Sequence, residues 1–474
     1  MSSLAHPVVE FTSSSSWAMV EDKFSPYGKE TLAKLVKFIK EEVLPAERIA
    51  HAQIPTDPEA RWKVIVPAIE DLKAKAKKLG LWNLFLSQRH YPKHGVPLTN
   101  LEYAVMAEVL GRGGHMASEA VNCAAPDTGN MEVLARYGSP EQQKKWLEPL
   151  LRGETRSAFA MTERFVSSSD ATNIRTSIRQ EGNEIVINGH KWWISNAGDP
   201  RCVLHLVLGK SDANNSDRYQ QQSIVIVPAN APGVKIVRPM RVFGYDDAPE
   251  GHCEIIYDNV RVPLENLVLG WGKGFEIIQG RLGPGRIHHC MRSIGSAQLA
   301  LDLMIQRVTD PSRKTFGKYL HEHGTVVSDI AKSVAEIESA RLLVLSAAQQ
   351  IDKFQAKGAM REIAIAKVRD HLDVLRDFIR LIFYVKFVVP SMALQVVDRA
   401  IQAYGAEGVS QDQPLAYAWA GLRTLRLADG PDAVHIQQVG QRELKRAPVL
   451  AARTAEIRKR EKQLVELYGI KGEL

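Results

Sequence analysis

One aspartate near the C-terminal end of the chain stands where a carboxylate could act on a substrate. Asp429 is followed by Gly430 and Pro431, and an amphipathic run comes after them. A carboxyl group in a dry site has a raised pKa and can serve as a general base. Asp before Gly-Pro is also typical of an ordinary turn and helix start, so these residues alone favour a cap over a base.

Hydroxyl side chains are concentrated in a second segment, AFAMTERFVSSSDATNI, which runs from Ala158 to Ile174. Short hydroxyls such as those of Thr162, Ser168 and Ser169, together with free backbone N–H groups, suit phosphates and an electron-rich ring. In isolation, the segment is equally typical of a Ser-rich turn before a strand.

A third segment, GHKWWISNAG, places two tryptophans and a hydroxyl on one predicted strand. Trp193 supplies an aromatic ring and Ser195 a hydroxyl. Taken alone, a Trp-Trp pair in a strand is more often part of a core.

Other classes of function have weaker support in the sequence. The four cysteines form no C-x-x-C pair and the histidines form no H-x-x-x-H pair, which predicts neither a metal site nor a disulfide framework. The net charge of +7 comes from interspersed charges of both signs. This balance suits a phosphate-bearing ligand or solubility, and it is weak evidence for nucleic-acid binding.

The elements that would position these segments fall into three sections and a tail. Apolar spacings of three and four residues predict a helical domain over 1–156, and a period near two predicts an antiparallel β domain over 157–270. The helical period returns over 271–450, on both sides of a break at Gly283-Pro284-Gly285, and a charged helical tail covers 451–474. Helices, then strands, then helices indicate an α+β fold with segregated layers.

Several elements have clear predicted bounds. The predicted helices include Thr31–Leu44, Pro67–Leu79, Leu101–Leu110, Pro140–Leu151, Val326–Ala356, Met360–Ala403 and Pro431–Lys445. Gly270–Gly274 has the wrong glycine spacing for a dinucleotide-binding loop, so we expect it to return the chain to the helical section. The apolar stretch Leu381–Val397 contains Lys386 and Pro390, which predicts a buried helix and no membrane span.

Taken together, these segments resemble the acyl-CoA dehydrogenase family over nearly the whole chain. The resemblance is closest to the acyl-CoA dehydrogenase 10/11-like branch, in which a kinase domain often precedes the dehydrogenase domain. The present sequence matches the dehydrogenase domain only. The resemblance implies an N-terminal helical domain, a middle β domain, a C-terminal four-helix bundle and a bound flavin adenine dinucleotide (FAD).

The resemblance assigns roles in the β domain. Ala158 to Ile174 resembles the M-T-E-P…S-D signature, in which the backbone at Met161 and the hydroxyl of Thr162 contact the flavin. Ser168 and Ser169 match its coenzyme A side. In place of the usual Pro and small residue, this chain has Arg164 and Phe165.

The tryptophan segment is similar to the family's G-x-K-x-W-I-[ST]-N strand. In that strand Trp193 would pack against the isoalloxazine, and the Ser195 hydroxyl would lie near flavin N5.

The resemblance also assigns roles in the C-terminal section. Arg286, in GRLGPGRIHHCMRSIG, matches the family arginine beside the base. Arg313 and Phe316 match R-x-x-F-G, in which the arginine pairs with the flavin pyrophosphate and the phenylalanine packs near the adenine. Gln402 and Gly405 match Q-x-x-G-G-x-G, which contacts FAD across a subunit interface; Ala406 replaces its second glycine.

The implied reaction is α,β-dehydrogenation of an acyl-CoA thioester to a trans-2-enoyl-CoA. Asp429 would take the α-proton, flavin N5 would take the β-hydride, and the backbone at Asp429 and Gly430 would face the thioester. An electron-transferring flavoprotein or, less favoured, oxygen would reoxidise the flavin. The branch suggests longer or 4-substituted acyl chains, such as 4-hydroxy or 4-phosphoryloxy acyl groups.

Two alternatives stay open at this point. Flavin oxidases of this fold, such as nitroalkane oxidase, also use an aspartate base and need no coenzyme A site. AidB-like relatives bind DNA through a basic C-terminal region, although glutamates dilute the basic residues of this tail. We expect a homodimer or homotetramer and, because targeting signals are missing, a cytoplasmic protein, with mitochondrion and peroxisome left open.

Overall fold

The structure, a computed structural model, describes residues 6–355 and 373–470, without side-chain positions at 115, 282–286, 354–355 and 373–382. Its first section is helical, as predicted. The π-helical turn Ile39–Val43 joins the second and third helices, and Gln143–Leu147 joins the last two. The helices are α1 (Ser14–Ala18), α2 (Pro26–Phe38), α3 (Leu44–Gln53), α4 (Pro67–Leu79), α5 (Asn100–Arg112), α6 (Gly114–Ala120), α7 (Asp127–Tyr137), α8 (Pro140–Gln142) and α9 (Glu148–Arg152).

Helix α5 is the central helix of this section. It begins with a capping box in which Thr99 and Glu102 each satisfy a backbone N–H group of the first turn. Every residue from Asn100 to Gly111 is buried. A helix that is buried on all sides requires close neighbours, and α5 has them.

The second section is one seven-stranded sheet with strand order β1-β4-β2-β3-β7-β6, and β5 pairs with β4. The strands are β1 (Arg156–Ala160), β2 (Ser177–Glu181), β3 (Glu184–Ser195), β4 (Cys202–Lys210), β5 (Gln222–Pro228), β6 (Val234–Pro239) and β7 (His252–Pro263). Most pairs are antiparallel, but β1 and β2 pair with β4 in parallel. The sheet was predicted to be antiparallel, but it is mixed around β4. The chain passes through β2 and β3 between β1 and β4, and this connection lets β4 run parallel to β1.

The two faces of β4 pack in different cores, as a period of two requires. Leu204, Leu206 and Leu208 face the large core shared with the helices, whereas Val207 packs within the β domain. The sheet is therefore covered by helices on one side, and the ends of its strands lie beside the helical sections.

The third section is again helical. Its elements are α10 (Gly274–Thr309), the hairpin β8 (Lys314–Thr315) and β9 (Lys318–Tyr319), α11 (Gly324–Gln355), α12 (Asp373–Tyr404), α13 (Leu415–Leu425), α14 (Asp432–Leu444) and α15 (Ala447–Leu467). Residues 356–372 of the two predicted long helices lie outside the described chain. The boundaries at 156/157, 270/271 and 450/451 stay predictions.

The predicted break in the first long helix is wrong, because the backbone of α10 is helical throughout Gly283-Pro284-Gly285. Proline costs a helix one backbone hydrogen bond, but its φ is compatible with the helix. Helix α10 packs closely against α5. A Cβ at Gly295 would lie 2.1 Å from the Glu108 carbonyl oxygen, and a Cβ at Gly111 would lie 2.1 Å from the Arg292 carbonyl oxygen. These two glycines let α5 and α10 touch along their backbones.

Helix α12 passes through the bundle with Pro390 in its interior. Lys386, only 1% exposed, donates from Nζ to the Leu425 carbonyl oxygen of α13. Among residues 6–355 and 373–470, no helix is long and apolar enough to cross a membrane.

Candidate functional site

A cavity of about 350 Å³ lies where the three sections meet. Its lining includes Ser195, Asn196 and His252 of the β domain, His289 and Arg292 of α10, and Thr424 and Leu425 of α13. The cavity therefore brings together two of the segments that the sequence singled out.

The end of β3 forms one wall of this cavity. The Ser195 hydroxyl and His252 Nδ1 share a hydrogen bond of 2.8 Å. Trp193 has a left-handed backbone (φ 56°), its side chain is 39% exposed, and its ring meets the His252 ring edge-on at 5.6 Å. Trp193 is thus not a core residue, and burial lowers the pKa of His252, which favours a neutral imidazole.

Helix α7 fixes the end of this strand. Asn196 Nδ2 donates to Asp127 Oδ2 at 3.0 Å, and the Ser157 backbone N–H donates to Asp127 Oδ1 at 2.7 Å. Arg156 forms an ion pair with the same carboxylate at 2.7 Å. Because these groups are buried and paired with one another, they join the wall that carries Ser195 to the helical section.

The Met161–Thr162 loop lies alongside β3. Thr162 Oγ1 donates to the Trp192 carbonyl oxygen at 2.6 Å, and the Trp192 N–H donates to the Thr162 carbonyl oxygen at 3.1 Å. The hydroxyl that the sequence assigned to the flavin therefore also fixes its own loop.

Lys191 anchors this loop through hydrogen bonds to its backbone, a role that was not predicted from the sequence. Its fully buried Nζ donates to the carbonyl oxygens of Met161 and Leu208 at 2.8 and 2.7 Å and to Glu163 Oε1 at 2.9 Å. Burial lowers the pKa of Lys191 to about 8, and the Glu163 carboxylate opposes that shift. The lysine of the G-x-K-x-W motif was a signal that could have pointed to this role.

The predicted coenzyme A residues differ in their surroundings. Ser168 Oγ accepts a hydrogen bond of 2.9 Å from the Glu163 N–H and donates to the Val166 carbonyl oxygen, so it stabilises the loop itself. Ser169 is exposed. Beside them Arg164 pairs with Glu254 at 2.7 Å, and Phe165 is 71% exposed.

Asp429 lies next to the cavity, at the turn between α13 and α14. Its backbone is left-handed (φ 54°), and its Oδ2 lies 3.7 Å from His289 Nε2. Its carbonyl oxygen accepts a hydrogen bond of 3.2 Å from His435. Pro431 is the N-cap residue of α14 and the helix has no side-chain cap, so Asp429 does not act as the cap.

Gly430 is required by the geometry of this turn. Its φ of 103° is disfavoured for other residues, and a Cβ there would lie 2.8 Å from His435 Nε2. The glycine therefore lets the backbone after Asp429 pass close to α14. Arg286 belongs to α10 by its backbone, but its side chain lies outside the described part, so its role stays a prediction.

A positive charge lies near the aspartate. Arg281 stacks on Phe159 with 4.1 Å between its guanidinium carbon and the ring centroid. Burial lowers its pKa, an effect that the neighbouring Asp429 and Glu132 carboxylates oppose. The Asp429 carboxylate therefore lies within the field of a cation, and 19% of its side chain is exposed.

Four other predicted flavin residues form a separate, exposed group at the β8–β9 hairpin, in the last turn of α12 and just after that helix. Phe316 is 95% exposed, and the ion pairs of Arg313 with described residues are long, 3.5 Å to Asp310 and 3.8 Å to Glu407. Gln402 is exposed, and Gly405 has φ 66° with open space around it. In the described part of the chain, the cavity lining does not include these four residues.

Sequence reasoning also missed His252 and His289 as site residues. The sequence pattern predicted no role in the site for either histidine. Among the described residues, no group of three or more His, Cys, Asp and Glu side chains is arranged to hold a metal ion.

The chain matches three family models in succession. They are the N-terminal domain of acyl-CoA dehydrogenase over residues 29–154, the middle domain over 158–260 and the C-terminal domain over 272–444. The cavity lies where the three matched regions meet, and Asp429 lies within the third.

Relatives and solved structures agree with these matches. The chain is 52% identical over 424 residues to acyl-CoA dehydrogenase family member 10 of Mus musculus, a match that covers 89% of this chain and 37% of that protein. A structure from Mycobacterium abscessus, provisionally described as an acyl-CoA dehydrogenase, has 44% identity and a TM-score of 0.81, covering 89% of this chain and 99% of that one.

A more distant solved structure shares only the fold, and the curated relatives are longer than this chain. The FAD complex of a Bacillus anthracis acyl-CoA dehydrogenase shares the fold, with a TM-score of 0.72 and 23% identity over 90% of this chain and 69% of that one. The chain spans between 37% and 52% of the length of the first curated relatives.

Proposed function

Because this chain belongs to the acyl-CoA dehydrogenase family, we propose that it is an FAD-dependent enzyme that oxidises an acyl-CoA thioester to the trans-2-enoyl-CoA. The observation that carries this proposal is the Asp429 carboxylate, which lies 3.7 Å from His289, a residue that lines the same cavity as Ser195. A base and a flavin-binding wall beside one cavity are the two parts that this oxidation requires. The reaction belongs to fatty acid β-oxidation.

The β-domain side of the cavity fits a flavin ring. Ser195 lines the cavity with a hydroxyl, and beside this residue lie the part-exposed ring of Trp193 and the Met161–Thr162 loop, whose backbone Lys191 holds. We propose that these residues hold the isoalloxazine of FAD. When bound, FAD would supply the acceptor for the β-hydride.

Asp429 acts in this proposal as the base for the α-proton. An α-proton next to a thioester is weakly acidic, so the carboxylate must lie close to it, and the developing charge on the thioester oxygen needs hydrogen-bond donors. We propose that the backbone N–H of Asp429 is one donor and that Gly430 leaves room for the thioester. Arg281 favours the ionised carboxylate that removes the proton.

The entrance for coenzyme A is proposed to run past the Ser168–Ser169 loop. Ser168 is occupied with the loop backbone, so Ser169 is the hydroxyl that remains exposed to a ligand. Phe165 and Arg164 lie at the same loop and would shape the entrance. An electron-transferring flavoprotein is the proposed acceptor for the electrons.

The exposed group Arg313, Phe316, Gln402 and Gly405 is proposed to bind FAD that belongs to a second copy of the chain. A guanidinium whose ion pairs with described residues are long and an almost fully exposed phenylalanine suit a pyrophosphate and an adenine. A homo-oligomer would bring this group to the partner's cavity.

The decisive experiment is anaerobic reduction of the FAD-loaded protein by a series of acyl-CoAs, followed by the loss of flavin absorbance. We expect Asp429→Asn to keep FAD but to be reduced about 10²–10⁴-fold more slowly than wild type. Asp412→Asn, an exposed aspartate in the turn before α13, is the matched control and should react normally. Full-rate reduction of Asp429→Asn would remove this residue from the mechanism.

A further inference from the structure

We propose that His289 and Arg292 of α10 act as positioning residues for the Asp429 carboxylate. This inference rests on the proposed function, because it assigns the two side chains a role only if Asp429 is the base. Both residues lie one turn apart on α10 and both line the cavity.

The contact between Arg292 and His289 fixes the tautomer of the imidazole. The distance from Arg292 NH2 to His289 Nδ1 is 3.1 Å. A guanidinium can only donate, so Nδ1 must be the acceptor. The neutral ring then carries its proton on Nε2, which is the atom 3.7 Å from Asp429 Oδ2. The donor therefore faces the carboxylate.

The neutral form of this imidazole is favoured by its surroundings. Burial lowers the pKa of His289 to about 3, and the charge of Arg292 adds to that effect. At the pH of catalysis the ring is consequently a fixed N–H donor with no charge of its own. It can orient the carboxylate without competing with the substrate for a proton.

Asp429 needs such a neighbour because its carboxylate is short and its turn is unusual. The backbone φ of 54° and the close contact of Gly430 with His435 fix the position of the Asp429 Cβ atom. Neither feature fixes the side-chain torsion angles that orient the carboxylate. Asp429 Oδ2 and His289 Nε2 are 3.7 Å apart, beyond hydrogen-bond distance, so a small rotation of the carboxylate toward Nε2 would bring it to a donor that is fixed on helix α10.

Other charged or titratable groups also face this pair. In the described part of the chain they are Arg281 and His288 on α10, Lys386 on α12 and His435 on α14. The charge of Arg281 acts on the Asp429 carboxylate and that of Lys386 acts on His289. Because Arg281 remains, removal of His289 should weaken but not abolish the preference for the ionised carboxylate.

The test compares His289→Leu, which removes the donor, with His289→Gln, whose amide N–H can take the position of Nε2. The FAD-loaded variants are reduced anaerobically by an acyl-CoA across a range of pH. For His289→Leu we expect a limiting rate about tenfold lower and an acid limb of the rate profile about one pH unit higher. His289→Gln should retain the wild-type profile, and the KM of all variants should stay unchanged.

The outcomes separate this inference from the proposed function. If Asp429→Asn is inactive while His289→Leu matches wild type in rate and acid limb, the positioning role is refuted and the proposed base stands. A raised KM with an unchanged acid limb would instead make His289 a substrate contact and refute positioning. If Asp429→Asn reacts at full rate, the proposed function itself fails.

A second variant keeps the test decisive if His289→Leu does not fold. Arg292→Met leaves the imidazole in place but releases Nδ1, so that the proton can move away from Nε2. We expect the same direction of change in rate and acid limb, at about half the size on a logarithmic scale. An unchanged profile in Arg292→Met would overturn the inference.

Discussion

Lys191 shows at the scale of one residue how a buried charge supports the site. Its Nζ joins the carbonyl oxygens of Met161 and Leu208 to the Glu163 carboxylate. In Lys191→Met the carboxylate would remain buried without this partner, which costs about 3–5 kcal/mol. We therefore expect a large loss in the free energy of unfolding, measured with urea, and a lower FAD content.

Lys210→Met is the matched control for that prediction. Lys210 lies in the same sheet, but with the described residues its Nζ makes one hydrogen bond, of 3.1 Å to the Thr172 carbonyl oxygen, and the residue is partly exposed. Its loss should cost about 1 kcal/mol. Equal stability of the two variants would contradict the role given to Lys191.

Glu132 provides a pH-dependent prediction. It is 6% exposed and accepts a hydrogen bond of 3.4 Å from Tyr91, and burial raises its pKa from 4.5 to about 7 against the opposing effect of Arg136 and Arg281. Between these two values the folded chain binds more protons than the unfolded chain, so stability falls as the pH rises. Above pH 7, the free energy of unfolding should be lower by roughly 3 kcal/mol than it is below pH 4.5 because of Glu132 alone.

Glu132→Gln removes this dependence, because glutamine does not titrate. The variant should gain stability relative to wild type as the pH rises from about 4.5 to 7, measured by urea unfolding at several pH values. A stability difference that stays constant over this range would show that Glu132 titrates normally.

The site residues that could be predicted from sequence are those with a chemical signature of their own. Ser195 lines the cavity, and Asp429 lies 3.7 Å from His289, which lines it too; their roles stay predictions. His289 and His252 could not be predicted, because their roles depend on partners that only the fold brings within reach. Ser168 is the converse case, since its hydroxyl is engaged by its own loop.

At the scale of elements, local periodicity was enough where each element packs on one face. The alternation of Leu and Val in β4 and the bounds of α4 are as predicted. Periodicity failed where long-range packing decides, as in the uninterrupted α10 and the parallel pairing of β1 with β4. The sequence alone does not show whether packing offsets the energetic cost of Pro284 in a helix. It also does not show which strand pairs with β1.

Helix α15 is the element least connected to the rest. It has no buried residue, and it starts after the last residue of the family match at 444. A chain truncated after Arg446 should therefore keep its FAD, its rate of reduction and, within about 2 °C, its melting temperature, because little apolar surface is lost. Failure of this truncated chain to fold would show that α15 packs on the body or on a second copy.

At the scale of the whole molecule, the proposed flavin residues lie in two places. Ser195 lines the cavity, whereas Arg313, Phe316, Gln402 and Gly405 form the exposed group outside it. One copy of the chain would then supply only part of each FAD site, and the complete site would require an oligomer in which the exposed group of one copy reaches the cavity of another.

Mixed oligomers test this arrangement directly. We expect Arg313→Ala alone to retain FAD poorly and Asp429→Asn alone to be inactive. In a dimer of one chain of each kind, one site would combine an intact Asp429 with an intact Arg313 of the other chain, and the second site would carry both defects. Co-expression with two affinity tags, followed by purification through both, isolates this species.

The mixed dimer should therefore show about half of the wild-type acyl-CoA reduction per oligomer, although each parent variant is defective. If instead each FAD were held within a single chain, each of the two sites would carry one of the two defects and the mixture would stay as defective as its parents. The same experiment with Asp412→Asn in place of Asp429→Asn should give one Arg313-deficient site and one intact site under either arrangement. A recovered activity in the first mixture is therefore specific to sharing of the site between copies.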